Sequence, residues 1–287
     1  MWLILSILTA LFYSSQGAWS KKISGNISSF TVTWSMFAFA IPFLILPVVL
    51  TGAPDIDPRL YYGGISSIVL NMVAVTLYVY ALKISQLSTC LPLLTFTPVF
   101  LIGTSFLLLG ELPSIYGLAG IILISLGTYM LNLNRISDGF LGPLKAIKED
   151  KGAMLMLAVA FIWSFAANFD KIGVLGSGPL FYSLFFNTGF FVLYIPFLFK
   201  LNPRFPQEIR GNFIKLFFVG FLGAMMFLTQ MAALNIALVS YVIAIKRAGI
   251  IFSLIFGGLY FNEKITIHRI GAVLMMLAGV FLISLFN

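Results

Sequence analysis

The chain is cut by short polar connections into about ten apolar runs of roughly 20 residues each, the length that one bilayer crossing needs. The runs fall near 2–19, 29–51, 61–82, 87–109, 113–133, 153–174, 178–199, 212–233, 238–261 and 267–286. Glycine and proline punctuate their ends, as at Gly52, Pro54, Pro113, Gly176, Gly178, Pro179, Pro203 and Pro206. Only helices and closed barrels satisfy every backbone polar group inside lipid. A barrel would need short alternating segments instead of long runs. The expected fold is therefore an all-α membrane protein. Charged residues make up only 9% of the chain against 60% hydrophobic, while a soluble domain carries about 25% charge. Little is left for a domain outside the bilayer. The first run lacks a basic start and is interrupted by Ser14, Ser15 and Gln16, so it reads as a retained helix rather than a cleaved signal.

The two halves of the chain echo each other. Ala81-Leu82, Glu111 and Gly127 recur as Ala233-Leu234, Glu263 and Gly279, at an offset of about 152 residues. Tyr13-Ser14 likewise recurs as Trp163-Ser164 at an offset of about 150. Weak internal symmetry of this kind marks many transporters, and an odd number of spans per repeat inserts consecutive repeats in opposite directions. The division expected is one repeat over 1–133, a connecting loop over 134–152, and a second repeat over 153–287.

Residues 105–128 (SFLLLGELPSIYGLAGIILISLGT) and 257–280 (GGLYFNEKITIHRIGAVLMMLAGV) carry a closer likeness. Each has an apolar helix, an acidic turn residue and a Gly/Ala-rich final helix. In this the chain resembles the drug/metabolite transporter superfamily, specifically proteins with two EamA-type repeats. The resemblance covers nearly the whole chain. It implies about ten transmembrane helices in two inverted five-helix repeats, and a transporter rather than an enzyme. It leaves the substrate open among amino acids, nucleotide sugars, phosphate compounds and drugs.

Lysines and arginines fix the expected orientation through their excess in cytoplasmic loops. One side holds Lys21, Lys22, Lys83, Arg135, Lys145, Lys148, Lys151, Lys200, Arg204, Arg210, Lys215, Lys264 and Arg269, and the other only Arg59 and Lys171. The first side is read as cytoplasmic and both termini as outside, although the resemblance implies termini inside. The +8 net charge thus reflects membrane orientation, not nucleic-acid binding. The membrane expected is the cell (inner) membrane of a prokaryote.

Lys246 and Arg247 sit inside the apolar run 237–261 (ALVSYVIAIKRAGIIFSLIFGGLYF). Ionisable residues at such depth are costly and point to a functional site. No acid shares the run, so the pair implies an anionic partner. They point about 100° apart and stand some 12–14 Å along the helix, too far in to reach the headgroups easily. Seven-residue spacing sets Ser240 on the face of Arg247 and Ser253 on that of Lys246. Arginine offers a bidentate fork for carboxylate or phosphate, and lysine adds a compact charge. The adjacent Lys-Arg also resembles the phosphate-binding pair of plastid phosphate translocators, a likeness that reaches Lys246 and Arg247 alone.

Asn71, Thr76, Asn187 and Gln230 are further candidates for a cavity wall, with interhelical hydrogen bonding as the plainer reading. Trp163, Ser164 and Asn168, with Tyr13 and Ser14 as the symmetry-related set, could stack on a substrate or simply pack. Asp170 and Lys171 read as a local solvated pair or an outer gate. Glu111 and Glu263 read as caps of the helices they precede. With no acid expected at mid-depth, exchange or facilitated transport is expected in preference to proton coupling. One cysteine, Cys90, and one histidine, His268, argue against a disulfide or a metal site, and no cofactor is expected.

These residues are expected to serve a secondary transporter that moves a small anionic, carboxylate- or phosphate-bearing metabolite by alternating access. The alternatives are an exporter of amino acids or drug-like molecules and a flippase for an anionic lipid. An intramembrane enzyme is disfavoured by the absence of a nucleophile–base pair or paired carboxylates at depth. The partners expected are the small-molecule substrate and the lipid bilayer, with oligomeric state open.

Overall fold

The computed structural model describes residues 1–23, 27–52, 54–132, 150–261 and 267–285, and among them the regular structure is entirely helical. Each apolar run has its helix. The first half holds α1 (Trp2–Ile23), α2 (Ser29–Ala38) and α3 (Ile41–Thr51), then α4 (Arg59–Ile84) and α5 (Leu87–Cys90). A 3-10 stretch, Leu91–Phe96, leads into α6 (Thr97–Leu109), and α7 (Ile115–Asn132) ends the half. The second half holds α8 (Lys151–Leu201), α9 (Phe205–Leu234), α10 (Val239–Ala248), α11 (Ile250–Phe261) and α12 (Ile267–Leu285).

Several runs are bent or broken within one crossing. α2 and α3 form a single apolar span, Ser29–Thr51. α8 is 51 residues long, more than twice what a bilayer core of about 30 Å needs at about 1.5 Å per residue. It crosses twice. Gly178 stands at φ 75° and ψ 162°, ahead of Pro179, a backbone state that glycine adopts without steric cost. The Tyr182 hydroxyl then donates to Asp170 at 2.7 Å, which twelve residues of straight helix would forbid.

The packing carries the signature of a two-fold relation between the halves. α1 lies along α9, as α4 lies along α8. α5–α6 and the 3-10 stretch meet α8, as α10 and α11 meet α1. The last helix of each half, α7 and α12, pack on one another. Two repeats with odd span counts thus bury their symmetry-related faces against each other, as the sequence offset required. At the lysine-rich face, Asp150 caps α8 by accepting from the Gly152 and Ala153 amides at 2.7 and 3.1 Å. It also accepts the Ser85 hydroxyl from the end of α4. That hydroxyl, then the amides, hold its carboxyl below the ordinary carboxylate range.

The α7–α12 crossing depends on missing side chains. A Cβ on Gly120 would come 2.6 Å from the Gly279 carbonyl oxygen, and one on Gly279 would come 2.6 Å from that of Gly120. Gly127 meets the Ala272 carbonyl at 2.8 Å in the same sense. Small residues let membrane helices approach this closely. Gly279→Val should therefore lower the detergent melting temperature, overpacking typically costing about 1–3 kcal/mol. An unchanged melting temperature would show that the crossing has slack.

The connection read as a loop over 200–211 shrinks to 202–204, because α8 runs on to Leu201 and the next helix starts at Phe205; it joins the lysine-rich ends of α8 and α9. Of the other loop read as cytoplasmic, 134–152, residues 134–149 lie outside the described residues, and Lys151 and Gly152 already belong to α8. Charge asymmetry predicts that a cysteine introduced as Pro203→Cys in a Cys90→Ser background resists an impermeant maleimide in intact cells. It should react once the cells are permeabilised. Labelling in intact cells would reverse the orientation.

Candidate functional site

A cavity of about 790 Å³ runs between the repeats, within the roughly 300–1,000 Å³ of small-molecule sites. Its lining includes Ser20, Ser29, Lys83 and Asn202, all at helix ends on the lysine-rich face. It also includes Asp170, Gln230, Lys246 and Arg247 from within the spans. The cavity thus reaches inward from the lysine-rich face.

The opposite face is closed by an ion pair. Lys171 on α8 meets Glu111, which follows α6, with each side chain only 12% exposed. Lys171 also donates to the Ala237 carbonyl at 2.7 Å, and the second Glu111 oxygen accepts the Val239 amide at 3.0 Å. Glu111 therefore caps α10, a helix of the other repeat, and not the helix that follows it in sequence. Behind this pair the fully buried Tyr241 accepts the Ser114 amide at 3.0 Å and stacks on Trp2.

Lys246 and Arg247 occupy the last turn of α10. The helix is interrupted at Gly249, whose missing side chain admits α1: a Cβ there would stand 2.8 Å from the Ala10 carbonyl. The Ser14 hydroxyl holds the Gly249 carbonyl at 2.5 Å. A helix C-terminus favours cations, which offsets part of the cost of placing two at this depth. Lys246 donates to Gln230 Oε1 at 2.6 Å and lies 4.9 Å over the Tyr13 ring. Arg247 Nη2 donates to Thr97 Oγ1 at 3.2 Å, and its guanidinium lies 5.7 Å over the Trp163 ring. The two cations thus take their aromatic faces from symmetry-related positions of the two repeats.

Arg247 Nε is buried without an acceptor, and among the described residues no carboxylate forms an ion pair with Lys246 or Arg247. Thr97 marks a second irregular point, where the 3-10 stretch passes into α6. Interrupted helices at an inter-repeat cavity are a recurrent way of presenting polar groups to a substrate.

Tyr13, Asn71, Trp163, Gln230, Lys246 and Arg247 share this cavity. The other sequence candidates stand outside its lining, most of them bonded into the helix walls. Ser14 is committed to Gly249. Ser164 donates to the Phe161 carbonyl, and Asn168 bonds Thr104, Ser105 and the Ser164 carbonyl. Asn187 donates to the Ser183 carbonyl. Ser240 is buried with no described partner, and Ser253 and Thr76 face outward. Short polar side chains in helices satisfy themselves on nearby carbonyls, which removes them from a wall that sequence spacing alone suggests.

Asp170 needs the largest correction. It is 5% exposed, not part of a surface pair, and it lines the cavity. Ser67 Oγ and the Tyr182 hydroxyl both donate to its Oδ1, at 2.5 and 2.7 Å. Asn71 in turn donates to the Ser67 carbonyl and hydroxyl. Asp170 is thus an acid at depth, where none was expected, and Lys171 points instead to Glu111. Neighbouring helical residues do not face each other, a signal present in the sequence. Glu263 lies outside the described residues.

The family model of the EamA-like transporter family matches residues 1–133 and 150–285. An uncharacterized transporter of Archaeoglobus fulgidus is 23% identical, over 99% of this chain and 98% of its own length. A crystal structure of 15% identity superposes with a TM-score of 0.77, covering 99% of this chain and 96% of its own. With two repeats around one cavity, and a family match to nearly all of each half, the chain belongs to the EamA-like transporter family and is a multi-span membrane transporter.

Proposed function

We propose that the protein moves a small anionic metabolite, bearing a carboxylate or phosphate, across the membrane by alternating access. The observation that carries this reading is the pair Lys246 and Arg247 in the cavity, which among the described residues form no ion pair with a carboxylate and leave Arg247 Nε without an acceptor. Two cations placed at this depth in a span are costly unless something compensates them, and an arriving anion supplies that compensation. Arginine supplies the planar fork, lysine a second charge, and Tyr13 and Trp163 hold both in place. The described conformation is open to the lysine-rich side, cytoplasmic by the charge count, and shut on the other by Lys171 and Glu111. Rocking of the repeats about Lys246 and Arg247 would exchange those states. The membrane proposed is the cell membrane of a prokaryote, in keeping with the archaeal relative.

Uptake of radiolabelled carboxylates and phosphate esters into proteoliposomes tests the reading. Saturable uptake that an excess of the unlabelled anion competes away is expected. Uptake confined to cations or neutral compounds would overturn it, as would lipid scrambling in the same vesicles without solute uptake.

A further inference from the structure

We propose that Asp170 is a proton site whose occupancy is coupled to the anion site at Lys246 and Arg247, so that a proton travels with the anion. The inference rests on the anion reading above.

Asp170 opens onto the same cavity as the two cations, so water entering from the lysine-rich face reaches all three. Its hydrogen bonds fall on one oxygen. Ser67 and Tyr182 both donate to Oδ1, and no described hydrogen bond reaches Oδ2. That oxygen is free to take a proton while Oδ1 keeps its donors. An alkali cation fits less well. It needs a cage of oxygen lone pairs, and the two hydroxyls here turn their hydrogens toward the carboxylate.

The groups facing Asp170 come from several elements. α4 gives Ser67 and Asn71, the second limb of α8 gives Tyr182, and α10 gives Lys246 and Arg247. Gln230 on α9, the phenols of Tyr13 and Tyr78 and, at the lysine-rich end of the cavity, the Lys83 amine are further titratable or polar groups of the lining. Lys246 acts electrostatically on Asp170 across the cavity. The neighbouring Lys171 is turned away to Glu111.

The sign of the coupling follows from charge. With the cavity empty, the Lys246 charge favours the ionised carboxylate. A bound anion cancels that field and adds a like charge, so the ionised form loses its advantage and Asp170 takes a proton. By linkage a proton on Asp170 strengthens anion binding to the same degree. Proton and anion therefore load together and leave together. No covalent step is involved: one proton moves from water to Oδ2 and back.

Infrared spectra of the purified, ligand-free protein across a pH series test this. A carboxylic-acid carbonyl signal that grows as pH falls is expected, and it should be missing from Asp170→Asn. Lys246→Gln imitates the neutralising effect of an anion, so the signal should persist to a pH higher by about one unit or more. Ser67→Ala removes a donor to the carboxylate and should act in the same direction. It identifies the signal even if Asp170→Asn does not fold.

A folded Asp170→Asn that loses no such signal overturns the proton site and leaves Asp170 a fixed anion. A signal that is lost in Asp170→Asn but unmoved in Lys246→Gln overturns the coupling. Because no ligand is added, either failure stands apart from a failure of the anion reading, which the uptake experiment decides.

Discussion

Arg247→Ala is expected to weaken binding of the transported anion by at least about tenfold. Truncating one side of a buried charge contact costs about 2–5 kcal/mol, and each 1.4 kcal/mol is a factor of ten. Arg247→Lys should recover only part, because the fork is lost along with its fit over Trp163. Lys246→Ala should weaken binding too, leaving Gln230 without its donor. Stability should move the other way. Among the described residues Arg247 has no carboxylate partner, and its buried Nε has no acceptor. Arg247→Met should accordingly raise the melting temperature of the ligand-free protein, a trade of function against stability common at binding sites. Fluorescence-detected melting with and without the anion measures both effects. Unchanged transport in folded Lys246→Ala and Arg247→Ala would end the case for the site, and a lower ligand-free melting temperature in Arg247→Met would show that the guanidinium is compensated after all.

The second large effect is expected at the closed face. Lys171→Met leaves Glu111 nearly buried, with only the Val239 amide to satisfy it. Removing one partner of a buried pair costs about 3–5 kcal/mol, and here the cost falls on the conformation closed at this face. The balance should shift toward the opposite opening by a factor of ten or more. Val239 is fully buried, so Val239→Cys in a Cys90→Ser background should react slowly with a water-soluble maleimide and much faster once Lys171→Met is added. Exchanging the charges, Lys171→Glu with Glu111→Lys, restores the ion pair but not the cap on α10, and should bring the rate only partly back. Equal labelling rates in all three proteins would remove the pair from any gating role.

The crossings were legible because run length is a direct consequence of bilayer thickness, and Gly178-Pro179 announced the turn between the limbs of α8. Lys246 and Arg247 were legible for a different reason: charge in an apolar run is conspicuous at any register. What the sequence concealed was direction. Asp170 beside Lys171 looked like a pair, yet adjacent helical positions diverge, and one side chain entered the cavity while the other crossed to Glu111. Glu111 caps a helix more than a hundred residues away, a relation that no local pattern encodes. Ser14, Ser164 and Asn168 have the composition of a binding wall, but their bonds to neighbouring carbonyls and side chains depend on rotamers and on interrupted helices that periodicity does not reveal. Gly249 was read as part of an unbroken run, and the half-helix end that steadies the two cations was missed with it.

The scaffold is doubled but the charge is not. At the offset that relates the halves, Lys246 and Arg247 correspond to Leu94 and Thr95, so the paired cations come from one repeat and its twin has no charge at the matching positions. Under the alternating-access reading, interchanging the conformations of the two repeats turns the molecule's other face to the solvent but does not reproduce the same binding surface there. A ligand arriving from one compartment would meet the α10 end first, and one arriving from the other would meet it last. Half-saturation constants measured from the two compartments should differ, giving the carrier a built-in kinetic polarity without violating the equilibrium that its driving gradients impose.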